Sequence, residues 1–479
     1  MLENTRIMTK YLLIVSFLFT VTHSFSQEMW DLEKCVNYAL ENNLDVRSAQ
    51  LNVQSQHTGV QQSKAQFAPS VNASAYYGYN FGQRIDPFTN QFAQSTVNTG
   101  NFNLSANWVL FSGLQNYNQL KQSEYAETSS DYAYKNVQYL TSLAVTTSYL
   151  QILFNLETLK VAQEQLEVTR LQVERSQKLV DAGSSPKGSL FDIEAQFARE
   201  ELAMVEADNQ VVLSYLSLKQ LLRIPGDLNI QVIAPQQYDS ASLQLPTSLD
   251  AVIQTAYDTY PSIKSNEYNL MSAEKQVSIS NGTMSPRLSL NGSVGTGYSG
   301  NATDVVGSTL SGTRPIGFVQ SNPADIVVTP TYSTETKTKG FGDQVGDNFN
   351  QSLGLSLSIP IFNKLNNRAA VNRAKISVSI AENNLEREKQ KVRQDIEKAF
   401  ADANAAFKRY KSTEKGLKSL QEAFDYAQKR FDVGMINAVD YNIAKTNLYR
   451  AESDLIKAKF DYIFRIKILD FYQGKPLTL

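Results

Sequence analysis

The side chains that most often carry chemistry are nearly missing from this chain. It holds two histidines, His23 and His57, and a single cysteine, Cys35, in 479 residues. One thiol excludes an intrachain disulfide and a cysteine-based zinc cluster, and Cys35 reads as a half-buried helix residue. With His23 in the N-terminal leader, His57 is alone, so metal binding or acid–base relay through histidine has no second member. Walker, HExxH and nucleophile-elbow patterns are absent. Lys and Arg (45) balance Asp and Glu (47), which gives no basic field for nucleic acid. The expectation is a protein that is not an enzyme, uses no cofactor or metal, and binds no nucleic acid.

What does recur at fixed spacing is Gln-Lys-x-x-Asp-x-Gly, ending in Gly183 and again in Gly434. Glycine there suits a left-handed cap at the end of a helix. The chemistry implied is recognition, because apolar Val433 and Met435 beside such a turn need a partner.

These turns belong to a duplication that runs through the chain. Leu32, Ala39, Asn52 and Pro69 recur 217 positions later as Leu249, Ala256, Asn269 and Pro286. Phe111, Gln177, Lys178, Asp181, Gly183 and Pro225 recur 251 positions later as Phe362, Gln428, Lys429, Asp432, Gly434 and Pro476. The step in offset falls between two strands, where insertions are tolerated. Two repeats mixing short hairpins with very long helices suggest a tube. The first-half turn reads as carrying a short insertion relative to the second.

Arg6 and Lys10 precede the apolar run 11–21, and Ser24 and Ser26 follow. That stretch is too short to span a bilayer, so residues 1–26 read as an export signal. No later stretch approaches the ~20 apolar residues of a membrane helix.

Four segments alternate with period two. Val71, Ala73, Ala75, Tyr77, Tyr79 and Phe81 alternate with Asn72, Ser74, Tyr76, Gly78 and Asn80. Phe102, Leu104, Ala106, Trp108 and Leu110 alternate with Asn103, Ser105 and Asn107. Leu288, Leu290 and Val294 alternate with Ser289, Asn291 and Ser293, and Leu353, Leu355 and Leu357 with Gly354, Ser356 and Ser358. One apolar and one small polar face over about ten residues fits a strand of a water-filled membrane barrel. Tyr76, Tyr77, Tyr79 and Phe81 would form an interfacial aromatic girdle. Four strands cannot close, so the barrel must be shared: two, three or four copies give about 8, 12 or 16 strands.

Residues 114–182 contain no Gly or Pro and predict a helix of roughly 105 Å. Its repeat, 362–433, is interrupted only by Gly416. Segments 32–67, 189–224, 249–280 and 436–473 predict helices about half as long. The charged run 386–393 reads as a solvated face. The loops 83–100 and 300–348 join strands at the end away from the helices and are expected to face the cell exterior. The second is too long for a hairpin turn and is expected to be mobile. The domain reading is therefore a first repeat over 27–224 with a β-hairpin at 69–111, and an equatorial linker at 225–248. A second repeat follows over 249–473 with a β-hairpin at 286–360, then a tail, 474–479.

On the duplicated strand–helix order, the paired Pro69 and Pro286, and the segment RFDVGMINAVDYNIAKTNL (430–448), the chain resembles the TolC-like outer-membrane efflux family. KLVDAGSSPKGSLFDIEAQ (178–196) is its looser first-half counterpart. The resemblance implies an α+β membrane protein of the outer membrane. Its homotrimer would form a 12-stranded β-barrel, four strands per chain, continued by a long periplasmic α-helical barrel. It implies a passive duct for efflux or type I secretion that docks a periplasmic adaptor (membrane fusion) protein and an inner-membrane transporter. Asp440 matches the family's acidic aperture position, Ile443 stands where a second acid can occur, and Asp192 is a candidate for the same constriction. Gly183, Phe431, Val433, Gly434 and Met435 match adaptor-docking turns. The alternative is a periplasmic coiled-coil adaptor or structural rod whose strands form a soluble domain.

Overall fold

The computed structural model describes residues 28–82, 84, 85, 90, 92, 93, 96–224, 230–233 and 248–475. The expected export signal lies outside them, as do most of the expected linker and Pro476 to Leu479. In chain order the elements begin with β1 (Glu28–Trp30), α1 (Leu32–Asn42) and α2 (Leu44–Ala65). The first strand pair follows, β2 (Ser70–Asn80) and β5 (Val97–Phe111), enclosing β3 (Arg84–Ile85) and β4 (Phe92–Ala93). The first repeat ends in α3 (Gln115–Asp181), α4 (Lys187–Leu222) and β6 (Ile230–Val232). The second repeat has α5 (Leu249–Thr259), α6 (Pro261–Gly282), β7 (Arg287–Ser299), β8 (Thr303–Val319) and β9 (Asn322–Thr338). It closes with α7 (Phe341–Asp347), β10 (Asn350–Ser358), α8 (Asn366–Asp432) and α9 (Ala438–Tyr472).

Two expected helices are each two. The segment 32–67 breaks at Asn43, whose backbone is extended and whose Oδ1 accepts hydrogen bonds from the amides of Asp45 (2.8 Å) and Val46 (3.3 Å). An Asn side chain thus starts α2 afresh, as N-cap residues do. The segment 249–280 breaks at Tyr260, which is extended because Pro261 disfavours helix in the residue before it. The Tyr260 ring packs on Phe471 (6.0 Å) and Tyr472 (5.6 Å), holding the break in a core with Ile263 and Ile396. By contrast α8 runs unbroken through Gly416, and α3 and α8 have 67 residues each.

The expectation of a mobile loop at 300–348 is corrected. β8 and β9 form an antiparallel ribbon of 17-residue strands, and α7 follows it. Four register shifts and the prolines Pro315, Pro323 and Pro330 break its alternation, which is why period-two reading passes over it.

The described residues divide into two compact units. The first takes residues up to 56, 127–270 and those from 381 onward; the second takes 57–126 and 271–380. In the first unit β1 and β6 pair in parallel, so part of the expected linker is a strand. Around them Trp30, Cys35, Tyr149, Leu218 and Ile463 are buried together. Burial pushes the Cys35 thiol up to about 12, so it stays protonated and inert. Tyr149 donates from its hydroxyl to the carbonyl of Ile233 at 2.6 Å, satisfying a polar tip in an apolar setting.

The second unit is built on a four-stranded antiparallel sheet of order β10-β7-β5-β2. β2 and β5 are the first hairpin, β7 and β10 the second, and β5 joins β7. β10 and β2 each have one neighbour among the described residues.

Candidate functional site

The sheet sorts its side chains by register. One rank aligns Ser70, Asn107, Asn291 and Gly354; the next aligns Asn72, Ser105, Ser293 and Ser352; a third aligns Ser74, Asn103, Gly295 and Asn350. Hydrogen bonds run across these ranks, from Asn107 to Asn291, from Asn291 to Ser356 (3.2 Å), and between Ser293 and Ser352 (2.8 Å). On the opposite face Val71, Ala106, Gly292 and Leu353 align, as do Ala73, Leu104 and Val294. Successive side chains of a strand point to opposite faces, so one surface is polar and hydrogen-bonding, with Arg287 at the start of β7 as its charged member, and the other is apolar. Such a sheet separates water from hydrocarbon. Its two unpaired edges cannot remain open in lipid, where each unsatisfied backbone group costs several kcal/mol.

Aromatic residues mark one end of the apolar surface. Tyr77 and Tyr298 stack at 6.3 Å, and Phe341 of α7 contacts Tyr298 (5.4 Å) and Phe102 (6.1 Å). Phe102 is on the same face as Leu104, so α7 lies against the apolar side at that end.

In the first unit the two helix turns have the same construction. Gly183 (φ +72°) and Gly434 (φ +75°) are left-handed. The amide of Ser184 reaches Leu179 O (2.8 Å) and that of Gly183 reaches Val180 O (2.9 Å). Met435 and Gly434 repeat this to Arg430 O (2.8 Å) and Phe431 O (3.0 Å), a Schellman cap in both cases. Five residues separate α3 from α4 and five separate α8 from α9. There is no insertion in the first turn, which corrects the sequence reading. The 251-residue offset therefore carries on: Asp192 occupies the position of Ile443, and Ser189 that of Asp440.

The candidate residues divide in environment. Val433 and Met435 are 68% and 72% exposed. Asp440 is exposed in the first turn of α9, its amide held by Asn437 Oδ1 at 2.8 Å, where the helix dipole favours negative charge. Ile443 and Asp192 are exposed as well. Phe431 is different: it stacks on Tyr441 at 4.7 Å and carries the Arg175 guanidinium at 5.6 Å. It therefore braces the turn from inside.

Sequence reading missed the polar groups that tie α3 and α4 to α8 and α9. Arg175 bonds Asp432 at 3.1 Å, and Gln428 bonds the same carboxylate at 3.0 Å. Together, with Gln428 first, they hold the Asp432 carboxyl below the usual range. Deeper in, Lys445 is only 5% exposed and donates to Thr169 Oγ1 at 2.7 Å. Thr169 donates to Glu200, whose carboxylate also accepts from Gln165 (3.0 Å) and Gln196 (2.7 Å). Burial outweighs the attraction of Glu200 and lowers Lys445 to about 8. The only signal in the sequence was the repeat of Asp181 as Asp432; nothing marked Lys445 among the other lysines of α9.

A model of the family "Outer membrane efflux protein" matches residues 35–222 and again 252–463, one copy per repeat. The outer membrane protein TolC of Vibrio cholerae is 21% identical over 458 residues, covering 95% of this chain and 93% of that one. A probable outer membrane lipoprotein, SilC of Salmonella typhimurium, is 24% identical over 297 residues. That match spans 60% of this chain and 59% of the relative's length, under two thirds of it. The solved structure of CusC superposes with a TM-score of 0.73 at 18% identity, covering 96% of both chains.

Proposed function

The chain belongs to the outer membrane efflux protein family, and from that premise we propose that three copies close one 12-stranded barrel that serves as a passive export duct. The observation that carries this is the sheet with one apolar face, one polar face and two edges unpaired among the described residues. Four strands per copy make three copies a 12-strand closure, within the range of membrane barrels. The family assignment selects a non-enzymatic efflux channel over a periplasmic adaptor or structural rod.

In this reading residues 1–26 direct export, and the repeats 27–224 and 249–473 each supply two strands and their helices. The helices extend into the periplasm, where the turns at Gly183 and at Val433, Gly434 and Met435 meet an adaptor connected to an inner-membrane transporter. Phe431 supports the second turn from within. Asp440 forms a threefold acidic ring at the periplasmic aperture, with Ile443 and Asp192 on the same helical level of the two repeats. Rings of like charge select counter-ions, so this constriction favours cations.

The test is extraction and conductance. The protein should require detergent, run as a heat-sensitive oligomer on a gel, and conduct in planar bilayers. Release by osmotic shock as a soluble monomer would remove the duct reading.

A further inference from the structure

We propose that the β8–β9 ribbon is an inter-subunit clasp, docking face-on against the neighbouring copy on the external side of the barrel. This rests on the trimeric duct proposed above.

The ribbon is firmly rooted. Lys339 closes its base by donating from its amide to Ala302 O at 2.9 Å, and its ammonium pairs with Asp304 and Asp347. Gln344, 1% exposed, accepts from the amide of Ser299 (2.9 Å) and donates to the carbonyls of Ser299 (3.0 Å) and Lys339 (2.9 Å). Beyond this base the strands have no other partner among the described residues. Yet they expose Leu310, Ile316, Phe318, Ile326, Val328 and Tyr332. A two-stranded hairpin alone is marginal in water, and apolar side chains in such number mark an interaction surface.

Hydrocarbon is excluded, because both ribbon edges present unpaired backbone groups that lipid cannot satisfy. An anionic lipid surface is disfavoured, because Arg314 and Asp325 are the only charges between 306 and 334. A second copy is favoured by continuity with the seam. The ribbon returns through α7 directly into β10, the edge strand that must pair with β2 of the next copy. That neighbour exposes Tyr79, Phe81 and Phe92 on its first external hairpin, an apolar surface of matching chemistry. Three prolines and four register shifts interrupt the ribbon, and such irregularities hinder edge-to-edge strand addition. Docking is therefore through side-chain faces.

The experiment places the photoreactive residue p-benzoylphenylalanine at Phe318 in the full-length protein in outer-membrane vesicles. Irradiation should give a band of twice the chain mass, with the cross-link mapping to the neighbour's first hairpin or ribbon. A second variant deletes residues 303–338 and joins Ala302 to Lys339 through two glycines. It should still form the oligomer but dissociate at a lower temperature on a heated gel. Cross-links only to lipid or to a different protein, or none in a confirmed trimer with unchanged dissociation temperature, would overturn the clasp and leave the duct standing. A wild-type particle that is not a trimer would instead overturn the duct itself.

Discussion

Leu104 and Ser105 are neighbours at the middle of β5, and their registers place them in opposite solvents. Leu104 aligns with Ala73 and Val294, Ser105 with Asn72 and Ser293. Leu104 is 48% exposed on the separate chain. If that face meets lipid, Leu104→Lys puts an ammonium near the bilayer midplane at a cost of about 3 kcal/mol per chain. Since 1.4 kcal/mol is tenfold in an equilibrium constant, the folded-to-unfolded ratio should fall by about two orders of magnitude per chain, lowering the urea midpoint. Ser105→Lys faces the water-filled side and should cost under about 1 kcal/mol. The assay is refolding into lipid vesicles over a urea series, read from unheated gel mobility, for both variants. Ser105→Lys, once folded, should also shift the reversal potential toward anions, because it would add three ammonium groups to the polar side of the sheet. Equal losses in the two variants, or a greater loss from Ser105→Lys, would refute the assignment of faces.

The pH dependence of Lys445 has a definite sign. Its folded pKa of about 8 lies below the ordinary 10.5. The native state therefore sheds a proton first, and the penalty of burying the ammonium, present below pH 8, is relieved as pH rises toward 10.5. The gain is about 3 kcal/mol, and Lys445→Met should remove it. Denaturation of both proteins at pH 7 and 10 checks this, and an identical pH increment in the variant would contradict it. Asp440→Asn should weaken block by divalent cations in planar bilayers; unchanged block and selectivity would remove Asp440 from the constriction. Gly434→Ala meets no atom within 4 Å of a built Cβ, so only its positive φ is penalised. The cost should be about 1 kcal/mol, read as a lower melting temperature, and no shift would mean that the turn relaxes. Val433→Ser with Met435→Ser should leave oligomer and conductance intact while abolishing co-purification with a periplasmic partner; retained co-purification would move the docking surface elsewhere.

The strands were legible because alternation is a local signal. Each of Val71 to Phe81 and Phe102 to Leu110 declares its face by residue type, and pairing only had to align the faces. Tyr260 shows a signal present but overruled: Pro261 announced a break, while the continuing helical pattern on both sides concealed it. At Asn43 the break depends on one side chain capping the next helix, which composition alone does not reveal. The ribbon was hidden by its own bulges and prolines, since each register shift inverts the alternation. Lys445 could not be found by pattern, because its burial is decided by α3 and α4, which are distant in sequence. The equivalence of Asp192 with Ile443 was already implied by the 251-residue offset that holds at both Gly183 and Pro225; the reading of an insertion overlooked it, and the equal five-residue turns restore it.

One number bears most directly on the account: the mass of the detergent-extracted particle, with bound detergent subtracted by native mass spectrometry or light scattering. A particle of three chains is expected, since each supplies one third of a 12-strand closure. A monodisperse single chain, stable without amphiphile, would contradict it.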